Sequence, residues 1–133
     1  RVNDCLKRVN LENCNKLLIS ELSGGMIKRV SIARAIVMNP KYLLCDEPNS
    51  GLDPKTAIII DNLIKEITLE SNITTIVNTH DMNSVMEIGQ KIAYINNGII
   101  SWTGNKEELF ESDNKQLNSF VFASELFKRL KKT

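Results

Sequence analysis

Several residue types are scarce in this chain, and their scarcity narrows what it can do. The 133 residues include one histidine and three cysteines, Cys5, Cys14 and Cys45. The cysteines form no C-x-x-C pair and no cluster with the histidine, and Cys45 lies within an apolar run. Disulfides are not needed, and reduced thiols in an intracellular compartment are the natural expectation.

Excess charge of one sign is also missing, as are long apolar runs. The 17 basic and 16 acidic side chains give a formal net charge of +1, which provides no general case for nucleic-acid binding. No apolar stretch approaches the length of a membrane span, and no charged-then-apolar leader opens the chain. We therefore expect any membrane link to run through a partner. Because Arg1 opens what reads as mid-domain sequence, we also expect a preceding segment.

The stretch at residues 42–48 is the element around which the other motifs are arranged. Its apolar run ends in Asp46, Glu47 and Pro48. Such a run predicts a strand covered on both faces, as in a parallel α/β sheet, and ligands bind at the carboxyl end of such strands. Adjacent strand residues point to opposite faces, so one acid is suited to orienting Mg²⁺ and the other to addressing an attacking water. The residues alone leave open that the acids merely begin a turn.

A second motif, the sequence LSGGM at residues 22–26, opens a predicted helix that runs to about residue 38. Ser23 can cap this helix. Gly24 and Gly25 let backbone N–H groups approach an anion closely, and the helix dipole favours phosphate there. The alternative is an ordinary serine cap followed by a flexible turn. Asn39-Pro40 ends the helix, since the residue before proline disfavours the α region.

Two further motifs follow the acidic strand. Asp53-Pro54 predicts the start of a helix that reaches about residue 70, and Asp53 could serve only as its cap. The helix should bury an apolar stripe of Ile59, Ile60, Leu63, Ile64 and Ile67. A second core strand is expected at residues 73–77, and His80 follows it directly. A lone histidine is usually structural, so its position after the strand matters more than its identity.

The C-terminal part reads as scaffold. Residues 91–102 predict a β-hairpin around Asn97-Gly98. Helical patterns follow at residues 106–110 and 116–130, the latter with an apolar face of Leu117, Phe120, Val121, Phe127 and Leu130. The last turn carries Lys128, Arg129, Lys131 and Lys132. These cations favour a helix C-terminus, and contact with acidic lipid headgroups is the weaker alternative.

Four motifs follow one another along the chain: LSGGM, the strand with Asp46-Glu47-Pro48, SGLD at residues 50–53 and THD at residues 79–81. In this order they resemble the C-terminal half of an ABC-transporter nucleotide-binding domain. They are similar, in turn, to its signature motif, its Walker B strand with the catalytic glutamate, its D-loop and its switch-histidine loop. The resemblance covers nearly the whole chain. It implies an α/β fold with a P-loop-NTPase-like parallel sheet flanked by helices, preceded by part of the helical subdomain.

The resemblance also implies roles for individual residues. Ser23, Gly24 and Gly25 would grip the γ-phosphate of an ATP held by a partner subunit, and Asp53 would lie near that nucleotide at the dimer interface. Asp46 would hold Mg²⁺ through water. Glu47 would polarise the attacking water, and His80 would position the water and the γ-phosphate together. The implied cofactors are therefore ATP and Mg²⁺.

Two elements of the family pattern are absent from the 133 residues. No G-x-x-x-x-G-K-[ST] phosphate loop occurs, and neither Gln90 nor Gln116 precedes the signature, where the Q-loop glutamine belongs. We therefore expect the isolated chain not to hydrolyse ATP. The expected organisation is a helical subdomain with the signature at residues 1–38, catalytic core strands and helices at 39–104, and C-terminal helices at 105–133.

The resemblance further implies a homodimer of ATPase subunits with a multi-span permease, cytoplasmic and peripheral on the inner face of the cell membrane. Met26 stands where most of the family has glutamine. Together with THDM at residues 79–82 and a Phe-bearing C-terminal helix, it is similar to ATPases of MCE-type phospholipid transporters, which implies an MCE-domain lipid-binding partner. Phospholipid transport between membranes is therefore the favoured cargo, and the alternative is that Met26 is only an apolar filler. An importer ATPase for another cargo, a soluble ABC-type ATPase acting on ribosomes or DNA, and a nucleotide-free interaction module stay open.

Overall fold

The computed structural model describes residues 1–132 and divides the chain into two compact units, Arg1–Ile88 and a unit that begins at Gly89. The first unit contains helices α1 (Val2–Arg8), α2 (Gly24–Ile36), α3 (Pro54–Glu70) and α4 (Met82–Ile88), and strands β1 (Tyr42–Asp46) and β2 (Thr74–Asn78). The second contains strands β3 (Ile92–Asn96) and β4 (Ile99–Gly104), and helices α5 (Lys106–Glu111), α6 (Lys115–Val121) and α7 (Glu125–Lys132). The division of the chain into three parts at residues 38 and 104 stays a prediction.

The starts of α2 and α3 confirm the capping predictions. The Ser23 hydroxyl accepts a hydrogen bond from the Met26 N–H at 3.2 Å. The Asp53 carboxylate accepts one from the Thr56 N–H at 2.9 Å, and Pro54 takes the first helical position. Each cap accepts a hydrogen bond from a backbone N–H that has no acceptor within the helix. Such a cap contributes about 1 kcal/mol to the stability of the fold.

Helix α3 supplies four buried residues to the apolar core of the first unit. Ile60, Ile64 and Ile67 are almost fully buried, as the apolar stripe predicts, and so is Leu63. The expectation for Ile59 is wrong, since its side chain is 44% exposed. The apolar stretch at residues 57–60 is compatible with more than one helical phase, and packing of α3 against α2 and α4 selects the phase that turns Ile59 outward.

Strands β1 and β2 form a parallel pair in which Asp46 lies opposite Asn78. The expectation that β1 is covered on both faces is wrong for residues 1–132. Leu43 is buried in the core, whereas Leu44, which points to the opposite face, is 73% exposed. Its neighbour Ile76 on β2 is also exposed. The helices of the first unit that pack on the sheet therefore cover one face of it.

The second unit is built on the predicted hairpin. Strands β3 and β4 pair antiparallel around Asn97 and Gly98, whose φ angles of 50° and 77° are those of a two-residue turn that matches the strand twist. The predicted single helix at residues 116–130 is wrong: it is two helices, α6 and α7, separated at Phe122. Ser124 starts the second one, where its carbonyl accepts from the Lys128 N–H at 3.1 Å.

Helices of the described part of the chain are too short or too polar to cross a membrane.

Candidate functional site

The carboxyl ends of β1 and β2 bring Asp46, Glu47 and His80 to one place. Asp46 closes β1, and its Oδ1 accepts a hydrogen bond from the side-chain amide of Asn78 at 2.7 Å. The Glu47 N–H donates to the Asn78 carbonyl at 2.8 Å, which prolongs the strand pairing by one residue. Ligands bind at this end of parallel strands because the loops that follow neighbouring strands diverge there. Asn78 thus joins the two loops at their base.

Glu47 and His80 contact each other directly. Glu47 Oε1 lies 2.8 Å from His80 Nδ1 and accepts a second hydrogen bond from the His80 backbone N–H at 3.2 Å. The carboxylate is 32% exposed and the imidazole 76% exposed, so both remain accessible to a ligand and to water. Both contacts use Oε1, so Oε2 of Glu47 makes no hydrogen bond within residues 1–132.

This contact sets the electrostatics of the histidine. The hydrogen bond that His80 donates to Glu47, reinforced by the negative charge of Glu47, raises the pKa of His80 above its ordinary value. A carboxylate acceptor at Nδ1 also requires the proton on that nitrogen, so Nε2 is the nitrogen that can address a ligand. The pair therefore fixes the ring orientation and leaves one ring nitrogen for chemistry.

The backbone at Glu47 is strained. Its φ of 45° lies in the left-handed region, where a side chain other than glycine costs about 1–2 kcal/mol. The strain is maintained by the hydrogen bond of the Glu47 N–H to β2 and by Lys28, whose ammonium donates to the Glu47 carbonyl at 3.3 Å. Lys28 also donates to the hydroxyl of Ser50 at 3.2 Å. Backbone strain of this kind concentrates at functional sites, where geometry is held against the local preference.

The signature residues lie at the N-terminus of α2 and pack next to the N-terminus of α3. Ser23 and Gly24 are exposed, whereas Gly25 is buried. A Cβ on Gly25 would lie 2.7 Å from Cγ2 of Thr56, so only glycine allows this approach. The backbone N–H groups at this end and the positive end of the helix dipole suit an anion.

Asp53 has a structural task whatever else it does. Besides the cap, its Oδ1 accepts the Thr56 hydroxyl at 2.5 Å. These hydrogen bonds from Thr56, with the side-chain one foremost, lower the pKa of Asp53. The exposed carboxylate is therefore charged at neutral pH and stands at the start of α3, close in the fold to Gly25.

A Mg²⁺ ion could be held here only with the help of other ligands. Within residues 1–132, no group of three or more His, Cys, Asp or Glu side chains is arranged to bind a metal. Asp46 is exposed and its Oδ2 makes no hydrogen bond among these residues. One free carboxylate oxygen fits Mg²⁺, which keeps several waters and is often bound through one or two carboxylates plus substrate phosphates.

Some residues of this site escaped the sequence analysis. Asn78 binds Asp46 and Lys28 binds the Glu47 carbonyl. Nothing in the sequence around Asn78 or Lys28 indicates these contacts. Asp61 is buried behind the site in contact with Asn49. Its signal was available, because a charged residue inside the apolar stripe of a helix is unusual and calls for a partner.

The sequence of this chain is similar to those of ABC-transporter proteins. The sequence profile of the ABC transporter family matches residues 1–50. The methionine import ATP-binding protein MetN of Clostridium tetani is 44% identical over 126 residues, which is 95% of this chain and 40% of that protein. MetN of Campylobacter jejuni is 42% identical over 125 residues, 94% of this chain and 37% of that protein. The chain thus spans about two fifths of the length of these relatives.

Solved structures give the same result for the fold. The ATP-binding cassette MJ0796, in a dimeric post-hydrolysis state bound to ADP and Pi, superposes with a TM-score of 0.66 at 37% identity over 77% of this chain and 44% of that one. A second dimeric structure of this bacterial ABC transporter cassette gives a TM-score of 0.68 at 36% identity, covering 78% and 45% of the two chains. The chain therefore has part of the α/β fold of ABC-transporter cassettes, and its sequence is similar to that of ABC-transporter ATP-binding proteins.

Proposed function

We propose that the full-length protein that carries this chain is the ATP-hydrolysing subunit of an ABC transporter and works as a dimer. The observation that carries the proposal is the contact between Glu47 and His80 at the carboxyl ends of β1 and β2. A partly exposed carboxylate oriented by a histidine is suited to activating a water, and phosphoryl transfer needs positioning and charge neutralisation more than covalent help.

Each residue of the site then has a distinct task. Glu47 uses Oε1 to hold His80, and its Oε2 takes the proton of the attacking water as general base. His80 presents Nε2 to the γ-phosphate, and the raised pKa of its ring favours the protonated form that donates a hydrogen bond to phosphate. Asp46 holds Mg²⁺ with the help of water, and the ion when bound neutralises phosphate charge.

The signature residues serve the nucleotide of the other subunit. Ser23, Gly24 and Gly25 offer backbone donors and a helix N-terminus to its γ-phosphate, while Asp53 lies beside them at the subunit interface. The dimeric state of the MJ0796 cassettes supports an arrangement in which each site is shared. Closure of the dimer would drive a conformational change in a multi-span permease. On this proposal the protein is cytoplasmic and binds at the inner face of the cell membrane.

The cargo is proposed on separate grounds. The relatives described above are named for methionine import, which favours an importer of methionine or a similar small solute over phospholipid transport. Met26 is one of three features behind the phospholipid expectation, and its side chain is half-buried against the core of the first unit. Packing therefore accounts for Met26 without reference to cargo.

The ATPase proposal is tested with Glu47→Gln and His80→Ala in the full-length protein. Glu47→Gln should bind ATP normally and accumulate as the nucleotide-bound dimer, with turnover lower by about 10²–10⁴-fold because the amide cannot act as base. His80→Ala should lose most activity at nearly unchanged nucleotide affinity. Normal turnover in either variant would remove the assigned role of that residue.

The cargo proposal needs its own measurement. Uptake of labelled methionine by cells should fall when the protein is deleted and return with the wild-type copy but not with the Glu47→Gln copy. Unchanged methionine uptake together with perturbed membrane lipid asymmetry, or recovery of an MCE-domain protein with the purified ATPase, would reject the small-solute proposal in favour of lipid transport. The ATPase proposal would be unaffected.

A further inference from the structure

A buried polar cluster lies behind the candidate site and has no part in the roles proposed above. It consists of Asn49, Asp61 and Ser84, which we call the polar cluster. Asp61 is 2% exposed and Ser84 1% exposed. The side-chain amide of Asn49 donates to Asp61 Oδ1 at 2.7 Å and to the Ser84 hydroxyl at 2.8 Å.

The three residues come from three different elements. Asn49 lies two residues after Glu47, in the loop that follows β1. Ser84 lies in α4, four residues after His80, and Asp61 projects from the middle of α3. The polar cluster therefore ties the backbone just beyond Glu47 to the helix just beyond His80, with α3 as the common anchor. Its hydrogen bonds join the same two loops as the Glu47–His80 contact does.

The polar cluster is costly for the fold. Burial raises the pKa of Asp61, partly offset by hydrogen bonds from Asn49 and Ser84, and the negative charges of Asp81 and Glu87 raise it further. Asn49 Oδ1 is buried without a hydrogen-bond partner among residues 1–132. A buried carboxyl and an unsatisfied amide oxygen are destabilising, and apolar residues of similar volume often serve a core equally well.

We infer that Asp61 is a positioning residue, which through Asn49 and Ser84 fixes the loop of Glu47 against the loop of His80 and so sets the geometry of that pair. This inference rests on the proposed ATPase function for its kinetic consequence, but its structural consequence can be measured without ATP. Positioning errors of about 1 Å can cost about 10²-fold in rate, so a loosened anchor should be visible in turnover.

The test compares three variants of the full-length protein. Asp61→Leu replaces the anchor by an apolar side chain with the same number of non-hydrogen atoms and breaks the polar cluster. Asp61→Asn keeps the shape and an oxygen acceptor for Asn49. Thr68→Val is the matched control, since it removes another hydrogen bond of α3, the 2.6 Å contact between the hydroxyls of Thr68 and Thr75, at a place away from the polar cluster.

The expected outcomes differ between the variants. Asp61→Leu should lower kcat about 10- to 100-fold with little change in KM, with some loss of thermal stability because the buried Asn49 amide loses an acceptor. Asp61→Asn should retain most of the rate. Thr68→Val should lower the melting temperature and leave kcat unchanged. If Asp61→Leu keeps kcat, or if its rate falls only as its folded fraction falls, the inference is wrong.

A second readout separates this inference from the ATPase proposal. The imidazole signal of His80, identified in NMR spectra by its loss in His80→Gln, should titrate above the ordinary value in wild type, in Asp61→Asn and in Thr68→Val. In Asp61→Leu the pKa should fall toward its ordinary value of about 6.5 because Glu47 is no longer held against the ring. A raised pKa that survives Asp61→Leu would overturn the inference, even if the wild-type protein proved to hydrolyse no ATP.

Discussion

Replacing Gly25 by alanine tests the close approach between α2 and α3 with a single methyl group. The added Cβ would lie 2.7 Å from Thr56 Cγ2, about 1 Å inside the usual distance of roughly 3.5–4.0 Å between carbon atoms. Thr56 cannot easily turn aside. Its hydroxyl and its backbone N–H both donate to Asp53, at 2.5 Å and 2.9 Å, so rotation about χ1 would break the side-chain bond.

The magnitude follows from a comparison of two glycines in the same helix turn. A Cβ on Gly24 would meet only Leu52 Cδ2 at 3.6 Å, an ordinary contact. Gly24→Ala should therefore stabilise by about 0.4–1 kcal/mol through the unfolded chain. Gly25→Ala gains a similar amount but incurs an overpacking cost of about 1–3 kcal/mol. The two variants should thus differ by about 1–3 kcal/mol in free energy of unfolding.

Urea unfolding followed by circular dichroism at 222 nm measures this difference. The second-site change Thr56→Ser supplies the decisive control, because it removes Cγ2 and keeps the hydroxyl that binds Asp53. In the Thr56→Ser background, Gly25→Ala should lose most of its penalty. Equal stabilities of Gly24→Ala and Gly25→Ala, or a penalty that persists with Thr56→Ser, would refute the close approach.

Three further predictions concern the pair, the core and a cap. The pKa of His80 is raised in the fold, so the Glu47–His80 contact should stabilise the protein when His80 is protonated. This stabilisation should be complete below the pKa of His80 in the unfolded chain and should be lost as pH rises through its pKa in the folded protein. Melting temperatures measured against pH should show this loss in wild type and not in Glu47→Gln. Ile60→Ala should cost about 2–5 kcal/mol in urea unfolding, while Ile59→Ala costs about 0.5 kcal/mol or less, and similar losses would contradict the helical phase. Asn105→Ala should cost about 1 kcal/mol and fray α5, which hydrogen exchange at the Glu108 amide would report, since that amide donates to Asn105 Oδ1 at 2.8 Å.

The sequence predicts those features of this fold that depend on short-range chemistry. Ser23 and Asp53 predict helix starts because their side chains accept hydrogen bonds from backbone N–H groups only three residues away. Asn97-Gly98 predicts a turn because both residues tolerate positive φ. The rotation of α3 about its axis cannot be predicted in this way, because consecutive isoleucines are compatible with several buried faces. Tertiary packing decides that Ile59 faces outward.

The site was predictable in part for the same reason. Asp46, Glu47 and His80 follow strands directly, and parallel pairing of those strands brings them together at one edge. The polar cluster could not be derived in this way, because its members are far apart in sequence. Asn49 is 12 positions from Asp61 and 35 positions from Ser84. Only the presence of Asp61 in an apolar stripe pointed to a partner, and nothing in the sequence named it.

The open face of the β1–β2 sheet has a consequence for how the 133-residue chain behaves in solution. Tyr42, Leu44 and Ile76 stand side by side there with more than half of each side chain in water. Adjacent exposed apolar side chains favour self-association, and excluded salts such as ammonium sulfate strengthen that tendency. Light scattering of the chain should therefore rise with protein concentration and with sulfate, and the double change Leu44→Thr and Ile76→Thr should suppress the rise while leaving the buried Leu43 side of the strand intact.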